Sequence, residues 1–485
     1  MKTLRGVYEG PGSHGILRVA ASMRGVQAIL RAYPDEWGFP ALHGAWARDS
    51  TPSPVSLSPV RDRPDGSWAP GDLARDLQDV VRRHPEARAL IFARSESALL
   101  SHEGAPLLAL PENPRTGRVP KLVTCEWESP SKREVEATGL ALRELVRAHA
   151  QPQQRSPAPT VNIFGQPVFG SNGTAEMAEL ERSLGLLGVS VNARVPLGAS
   201  IEDLSLLPRA WANLVLHRET GEPASLYLKE EFGMPRVTTP PIGSAGTGAV
   251  LRAVGEMCAL DPTKVQRAVW AELAQTAKLP WYARLAVPEA FRGRRVALFG
   301  DFTYATGLGY TLAREVGLEV AWAGTYLEHL EGDFLFHAGT FTDEAFVAED
   351  PGSVAARVEA TAPDILIGTY LEGEIASSLG IPFLPLCPPV AEHPFAERPL
   401  MGYAGSSVLA DALDGVLREL PGPREKPPRE EEPTYQGISW TEEALEDLEE
   451  IPAFLRGRTR RLAEEYARAL ESPEVTPEIL EESRS

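Results

Sequence analysis

The residues of this chain that could do chemistry are mainly carboxylates, beginning with the adjacent pair Asp35 and Glu36. The pair follows Arg31-Ala32-Tyr33-Pro34 and precedes Trp37-Gly38-Phe39, an aromatic and turn-forming setting. Two neighbouring carboxylates in a turn can ligate a metal ion, because carboxylate oxygens are common metal ligands. The spacing by itself favours a solvated turn, with a metal site as the alternative.

Three further glutamates, Glu96, Glu219 and Glu372, stand at the ends of apolar runs that predict β-strands. A carboxylate in the first turn of a helix interacts favourably with the positive end of the helix dipole. Their recurrence favours a structural role at the start of the helix that follows, and catalysis by one of them is the alternative.

Cysteine and histidine form no local metal or catalytic motif in this sequence. The three cysteines, Cys125, Cys258 and Cys387, are far apart and make no CxxC pair. The nine histidines form no HxxxH or HExxH, and no Gly-x-Ser-x-Gly is present. An iron–sulfur cluster bound here would therefore need ligands from another subunit or oxygen ligands.

Glycine-rich segments that could hold a phosphate lack the standard fingerprints. Gly10-Pro11-Gly12, the segment 243–248 and the pair Gly307 and Gly309 each adjoin a predicted strand. None matches GxGxxG or GxxxxGK[ST], so we interpret them as plain turns between strands and helices. An ordinary nucleotide-binding Rossmann enzyme is disfavoured for the same reason.

Composition and charge narrow the class of protein. The chain has 485 residues, of which 43% are hydrophobic and 24% charged, as in soluble globular proteins. Its formal net charge of −19 makes nucleic acid and an anionic membrane surface unattractive partners. No apolar stretch reaches the roughly 18 residues of a membrane helix, and no signal-peptide core is present. We therefore expect a cytoplasmic protein without membrane insertion.

Two similar segments predict strand–helix–strand units that must position these residues. VNIFG at 161–165 precedes a helix predicted over 174–187, then Gly188 and the run VSVNARV. VALFG at 296–300 precedes a helix predicted over 309–316, then Gly317 and LEVAWAG. Units of this kind form parallel sheets.

A second repeat occurs three times and ends in Gly-x-Pro. ALIFARSE (89–96), NLVLHRE (213–219) and DILIGTYLE (364–372) each precede a predicted helix, a Gly-x-Pro and a short strand, which is LLAL (107–110) in the first copy. The sequence therefore predicts an α/β protein with three Rossmann-like, doubly wound domains. Ligand sites are expected at the carboxyl ends of their strands.

Two proline-rich segments and the tail set the predicted domain boundaries. QPQQRSPAP at 151–159 and PGPREKPPREEEP at 421–433 lack apolar periodicity. In the tail, Thr441 precedes an acidic first turn, and VTPEIL begins a further helix. We predict Rossmann-like domains over 1–150, 160–290 and 291–420, a linker over 421–435 and a small helical domain over 436–485.

Several segments carry a family resemblance in their order along the chain. They are Tyr8-Glu9-Gly10-Pro11, VNIFG at 161–165, PLGASIEDLSLLPRAWANLVLHRE at 196–219, LPWYAR at 279–284 and WTEEALEDLEEIPAFLRGRTRRLAEEYAR at 440–468. Together they resemble the B-type subunits of light-independent (dark-operative) protochlorophyllide reductase, a family related to nitrogenase component 1. The resemblance runs from the N-terminus to about Leu480.

The resemblance implies a fold, partners and a reaction. It implies three Rossmann-like domains in a B-type subunit that pairs with an N-type subunit, two pairs forming a heterotetramer. A separate ATP-hydrolysing iron–sulfur protein would deliver electrons. A [4Fe-4S] cluster at the pair interface would take three cysteines from the N-type subunit and one aspartate from the B-type subunit. The implied substrate is protochlorophyllide or a related tetrapyrrole, whose ring D double bond is reduced.

The resemblance also assigns site residues. Aligned without gaps from Tyr8, the cluster-binding aspartate of the family falls on Glu36, with Asp35 beside it. The Met-Gly-Phe/Tyr segment that the family places near the tetrapyrrole matches Met401, Gly402 and Tyr403.

The chain departs from the family where the chemistry is expected. The proton-donating aspartate falls on Val287, and Glu289 is the nearest acid. The Ser/Thr-Cys-Thr segment falls within Ala93-Arg94-Ser95-Glu96, and a family histidine is replaced by Tyr304. We expect a divergent catalytic subunit with Glu289 as the candidate acid. The alternative is a non-catalytic scaffold or tetrapyrrole-binding paralogue.

Overall fold

The structure is a computed structural model that divides into two compact units. The larger unit contains Arg5–Tyr282 and Pro389–Leu409, and the smaller unit contains Met1–Leu4, Ala283–Pro388 and Ala410–Ser485. The residues described are 8–33, 36, 54–60, 70–100, 109–167, 173–276, 293–348, 350–389, 398–417, 438–450, 459–460, 463–464, 466–468, 470 and 472–483.

The first sheet of the larger unit has four parallel strands in the order β2-β1-β3-β4. Its strands are β1 (Val26–Ala32), β2 (Val55–Pro59), β3 (Ala89–Arg94) and β4 (Lys121–Thr124). Its helices are α1 (Gly12–Ser22), α2 (Pro70–Arg83), α3 (Glu96–Leu100) and α4 (Glu134–His149). All of β1 is buried, because Ala28 and Leu30 pack into a core with α1 and α4 while Ile29 packs with α2.

The second sheet of the larger unit repeats this arrangement in the order β6-β5-β7-β8. Its strands are β5 (Thr160–Phe164), β6 (Ser190–Val195), β7 (Ala212–Val215) and β8 (Arg236–Val237). Its helices are α5 (Gly173–Leu186), α6 (Ile201–Ser205), α7 (Arg218–Phe232), α8 (Gly243–Met257) and α9 (Pro262–Thr276). Helix α7 ends at Gly233 in the left-handed conformation, which confirms the predicted Gly-x-Pro stop.

The two sheets of the larger unit share one hydrophobic core, which includes Leu142 of α4 and Leu228 of α7. Glycine permits this close approach of the helices. A Cβ added at Gly139 of α4 would lie 3.0 Å from the backbone oxygen of Thr220 in α7. The strands of both sheets therefore have their carboxyl ends on one packed unit.

The smaller unit contains a five-stranded parallel sheet in the order β11-β10-β9-β12-β13. Its strands are β9 (Arg295–Gly300), β10 (Glu319–Thr325), β11 (Ala345–Val347), β12 (Ile365–Ile367) and β13 (Phe383–Leu384). Its helices are α10 (Phe302–Thr311), α11 (Glu331–Ala338), α12 (Pro351–Thr361) and α13 (Glu372–Leu379), and the chain continues to α14 (Gly402–Leu417). Three parallel α/β sheets match the predicted fold class, while the predicted domain boundaries stay a prediction.

The tail has a small core of its own, formed by Leu448, Ala463, Ala467, Val475 and Leu480. Helix α15 (Glu442–Glu450) begins at Thr441, whose side chain accepts a hydrogen bond from the Ala444 amide. Helix α16 (Pro477–Glu482) begins in the same way at Thr476. Both predicted helix starts are confirmed. The sequence did not predict the parallel pair β14 (Ser439–Trp440) and β15 (Glu474–Val475).

The helix predicted over 309–316 was wrong at its start. Helix α10 begins at Phe302, where Asp301 accepts a hydrogen bond from the Tyr304 amide. Gly307 and Gly309 therefore lie within the helix and are not a turn. The reason is tertiary packing, because a Cβ at Gly309 would collide with the ring of Phe341. A π-helical turn then leads to Gly317, which confirms the predicted end.

The strand predicted at LLAL was also wrong in its described part. Ala109 and Leu110 have no regular structure, and Lys121–Thr124 forms the fourth strand. Leu110 packs instead on the side of the sheet covered by α2.

Among the described residues, no helix is both long and apolar enough to cross a membrane.

Candidate functional site

Each of the three large sheets has a reversal of strand order at its first strand. β1 lies between β2 and β3, β5 lies between β6 and β7, and β9 lies between β10 and β12. In doubly wound sheets, ligands bind in the crevice at the carboxyl ends of the strands beside such a reversal. These three strand ends are therefore the places to look for functional groups.

Glu36 lies beyond the carboxyl end of β1, and its carboxylate reaches the end of β3. Its Oε2 accepts a hydrogen bond of 2.9 Å from the Tyr33 amide, and its Oε1 accepts one of 3.4 Å from the Ser97 amide. The Ser95 amide in turn donates to the Arg31 oxygen at 2.9 Å. The two segments that the resemblance singled out thus meet at one sheet end.

The surroundings of Glu36 favour its charged form. Partial burial opposes ionisation, but hydrogen bonds from Ser95, from the Tyr33 amide and from Ser97 outweigh it and lower the pKa of the carboxyl. A carboxylate has about four lone-pair sites, and four hydrogen bonds reach Glu36, so a metal ligand bond would take the place of one of them. Glu36 therefore fits the role of an anionic oxygen ligand.

Arg94 and Glu128 fix the end of β3 from which Ser95 and Ser97 reach Glu36. Glu128 accepts hydrogen bonds from the Arg94 backbone amide at 2.8 Å and from its Nε at 2.9 Å. Burial raises the pKa of Glu128 to about 7, although Arg94 acts in the opposite direction. Arg94 lies within the segment Ala93-Arg94-Ser95-Glu96, where the family resemblance places the Ser/Thr-Cys-Thr segment.

The three cysteines do not offer a thiolate set for an iron–sulfur cluster. All are free and buried. Burial raises the pKa of Cys125 and Cys387 well above the usual thiol value and that of Cys258 to about 11. Since the thiolate is the metal ligand, Glu36 is the described group that suits a cluster at the first strand reversal.

A second group of polar side chains lies at the carboxyl ends of β5 and β7. His217 Nδ1 is 3.3 Å from Glu219 Oε1 and 3.2 Å from Gln166 Nε2, while His217 Nε2 is 3.9 Å from Glu176 Oε2. The exposed fraction of each of these residues is 8% or less. Burial lowers the pKa of His217, but Glu176 and Glu219 outweigh it and raise the pKa to about 10.

Sequence spacing could not find this second group as a unit. Glu219 stands out in the sequence as one of the recurring glutamates, but no local motif points to Gln166, Glu176 or His217. They come from separate segments that β5, α5 and β7 bring together. The available signal was the position of Gln166 and His217, each two residues past the end of a strand.

The third reversal of strand order lies in the smaller unit, and the side chains described there make structural contacts. Glu372 Oε2 accepts hydrogen bonds of 2.7 Å from the Thr369 amide and hydroxyl, which confirms the predicted helix-start role for this glutamate. Cys387 packs against Gly300, where an added Cβ would collide with it. Tyr304 is fully buried in α10.

Met401, Gly402 and Tyr403 form a buried segment of the larger unit. Met401 forms an antiparallel bridge with Ile242, and the Gly402 amide donates to the Pro241 oxygen at 2.8 Å. Met401 is 0% and Tyr403 2% exposed, so neither presents its side chain to solvent in the chain alone.

A network of charged side chains on α5 and α9 holds this buried segment in place. Glu179 Oε1 accepts a hydrogen bond of 3.1 Å from the Ala404 amide. Arg182 binds Glu179 at 2.8 Å and Glu272 at 2.7 Å. The hydrogen bonds that Arg182 donates to the two carboxylates raise its pKa further above its already high usual value. The predicted substrate-lining residues are thus rigidly positioned.

Three predicted site residues, Asp35, Val287 and Glu289, lie outside the described residues. Their roles stay predictions from the resemblance.

Two family models match the chain in succession. The model for the nitrogenase component 1 type oxidoreductases matches residues 102–418, and the model for the proto-chlorophyllide reductase 57 kD subunit matches residues 440–484. The first covers more than half of the chain, and the parallel sheets agree with it. The chain belongs to the nitrogenase component 1 type oxidoreductases.

Similar proteins narrow this class. The B-type subunit of light-independent protochlorophyllide reductase from Chlorobium limicola is 30% identical over 533 residues, covering 99% of this chain and 98% of its own. The protein of the same name from Trichormus variabilis is 28% identical over 506 residues, with the same coverage. This modest identity over nearly the whole length confirms the resemblance and makes the chain a divergent relative of those proteins.

Solved structures agree on the fold. The structure of nitrogenase Cp1 at pH 6.5 has a TM-score of 0.65 and 16% identity, covering 87% of this chain and 96% of its own. The structure of nitrogenase Cp1 at pH 5 has a TM-score of 0.61 and 15% identity, with coverages of 87% and 92%. At this identity they show the fold alone, and they confirm the Rossmann-like α/β class.

Proposed function

We propose that this chain is the B-type catalytic subunit of an ATP-dependent, nitrogenase-like reductase acting on protochlorophyllide or a related tetrapyrrole. The observation that carries the proposal is a match covering 99% of this chain and 98% of relatives that are named as B-type subunits of light-independent protochlorophyllide reductase. The reaction adds an electron pair and a pair of protons across the ring D double bond. Electrons come from a separate ATP-hydrolysing reductase protein.

Within this function, Glu36 completes a [4Fe-4S] cluster shared with an N-type partner subunit. The support is its partly exposed carboxylate, whose pKa is lowered by hydrogen bonds at the end of β3. Asp35 is the competing ligand. The cluster, when bound, supplies single electrons, and the buried thiols of this chain leave its remaining ligands to the partner.

Substrate contact and proton delivery are assigned from the resemblance. In this proposal the segment of Met401, Gly402 and Tyr403 borders the tetrapyrrole site, with the side chains of Met401 and Tyr403 buried in the protein, and Glu179 and Arg182 hold the segment in place. Glu289 is the proposed proton donor. A donor typically contributes about 10²–10⁴-fold to the rate, so the valine at position 287 is compatible with slow catalysis.

The test is the native complex, purified anaerobically through a tag on this chain. We expect about four irons and four sulfides per pair of chains, a cysteine-bearing partner, and ATP-dependent loss of protochlorophyllide when the reductase protein is added. An iron-free protein without that partner would instead favour the scaffold or pigment-binding alternative.

Matched single variants decide the cluster ligand. Glu36→Gln removes the charge with little change of shape, and Asp35→Asn does the same one residue earlier. We expect Glu36→Gln to lower the iron content or change the electron paramagnetic resonance spectrum of the reduced cluster, and Asp35→Asn to leave both unchanged. The reverse result assigns the ligand to Asp35, and no effect of either variant excludes both.

A further inference from the structure

The group at the carboxyl ends of β5 and β7 has no place in the proposed electron path, yet its ionisable side chains are deeply buried at a strand reversal. It consists of Gln166, Glu176, His217 and Glu219, and we name it the His217 cluster. His217 and Glu176 are 1% exposed and Glu219 is 5% exposed. Charged groups at this depth are normally paired or bound to a metal ion.

The contacts around His217 Nδ1 contain a conflict. Glu219 Oε1, a hydrogen-bond acceptor, lies 3.3 Å from Nδ1, and Gln166 Nε2, a donor, lies 3.2 Å from the same atom. One ring nitrogen cannot donate and accept at the same time. The side-chain oxygen of Gln166 is buried and has no hydrogen-bond partner among the described residues. Exchanging the amide oxygen and nitrogen of Gln166 removes the conflict at Nδ1 and places the amide oxygen next to His217.

After that exchange, a Glu219 oxygen and the Gln166 oxygen lie 3.3 and 3.2 Å from His217 Nδ1, and these three atoms are the candidate ligand atoms. Atoms bound to one zinc ion at about 2.0–2.2 Å lie roughly 3.0–3.5 Å from each other. The distance from His217 Nδ1 to the Gln166 amide, 3.2 Å, and the distance from Nδ1 to Glu219 Oε1, 3.3 Å, both fall in this interval. A carboxylate, an imidazole and an amide oxygen are ligands that first-row divalent ions accept.

The rest of the cluster suits a cation as well. Glu176 faces the other ring nitrogen, Nε2, at 3.9 Å. Metal-binding histidines commonly direct their second ring nitrogen at a carboxylate, which orients the ring.

We propose that the His217 cluster binds one divalent first-row metal ion, with zinc as the probe, through His217 Nδ1, Glu219 and Gln166, and with Glu176 as the supporting carboxylate. The ion joins the ends of β5 and β7 to the first turns of α5 and α7 and is structural. This inference does not depend on the proposed reductase function.

The test measures zinc in the full-length chain, purified with and without a chelator and then equilibrated with Zn²⁺. We expect about one zinc per chain after desalting, and loss of at least nine tenths of it in Glu219→Gln and His217→Gln. Glu372→Gln is the matched control, because Glu372 is also a buried first-turn glutamate but caps Thr369. It should retain the zinc. Far-UV circular dichroism checks that each variant is folded.

A second measurement covers variants that fail to fold. X-ray absorption at the zinc edge of the unsubstituted chain should show nitrogen and oxygen ligands, one imidazole, and no sulfur. An unsubstituted chain that retains no zinc after equilibration overturns the proposal and leaves a protonated histidine. Two other results would also overturn the proposal. One is a zinc content that is unchanged in folded Glu219→Gln and His217→Gln chains, and the other is zinc that is bound by sulfur.

Discussion

Glu9 is a buried carboxylate whose protonation is coupled to folding. Its Oε1 accepts a hydrogen bond of 2.9 Å from the Val135 amide at the start of α4. Burial raises its pKa to about 7; the Val135 bond acts in the opposite direction, and neighbouring Glu134 adds to the rise. Because the pKa is higher in the folded than in the unfolded chain, this group favours folding at low pH. The contribution is lost as pH rises from about 4.5 to 7.

We predict that Glu9→Gln stabilises the chain at pH 8 and not at pH 5. The glutamine keeps an oxygen for the Val135 amide and removes the cost of a buried charge, which is about 3 kcal/mol from the size of the pKa shift. Thermal unfolding of both chains at the two pH values measures the difference. An equal gain at pH 5 and pH 8 would show that ionisation is not the cause.

At the scale of elements, the contact of α1 with α4 depends on a glycine. A Cβ added at Gly15 of α1 would collide with the Glu134 oxygen and lie 2.7 Å from the Thr138 amide. Both contacts are backbone atoms, so they cannot move aside as a flexible side chain can. This contact also supports Glu134, which pairs with Arg18 at 3.0 Å.

We predict that Gly15→Ala lowers the free energy of unfolding by about 1–3 kcal/mol through overpacking. Gly185→Ala in α5 is the control, because a Cβ there meets nothing within 4 Å. It should be neutral or stabilise by up to about 1 kcal/mol, since alanine favours helix more than glycine does. Denaturant unfolding of both variants measures the effects, and equal stability of the two would contradict the packing argument.

At the scale of the whole molecule, the tail has a hydrophobic cluster of its own. Its core residues, such as Leu448 and Val475, pack with one another and with Ile438, Trp440 and Ile479. The family models also divide here, with one ending at residue 418 and the other beginning at residue 440. The tail therefore supplies its own hydrophobic core.

We predict that a chain truncated before Ile438 keeps the fold of its remaining sheets. Its unfolding midpoint should fall by less than about 3 °C, the shift that roughly 1 kcal/mol produces in a large domain. Differential scanning calorimetry of the full-length and truncated chains tests this. A fall of about 10 °C or more, or loss of soluble protein, would show that the sheets need the tail.

Local physical chemistry made much of the fold predictable. Apolar runs at 161–165 and 296–300 form the buried strands β5 and β9, because a strand covered on both faces requires them. Gly233 and Gly380 end their helices with positive φ, as glycine allows without strain. The first-turn role of Glu372 and the helix starts at Thr441 and Thr476 depend on neighbours within four residues, so their sequence determines them.

The candidate sites depend on contacts between residues that are far apart in the sequence, so no local pattern predicts them. The family resemblance pointed to Glu36, but the Ser97 amide that binds it is 61 residues away. The His217 cluster joins Gln166 to His217, which are 51 positions apart. The sequence by itself determined a chain of strands, helices and glycine stops in a recognisable family order. Only the tertiary structure decided which strand ends adjoin, because strand order follows from how the helices pack across each sheet.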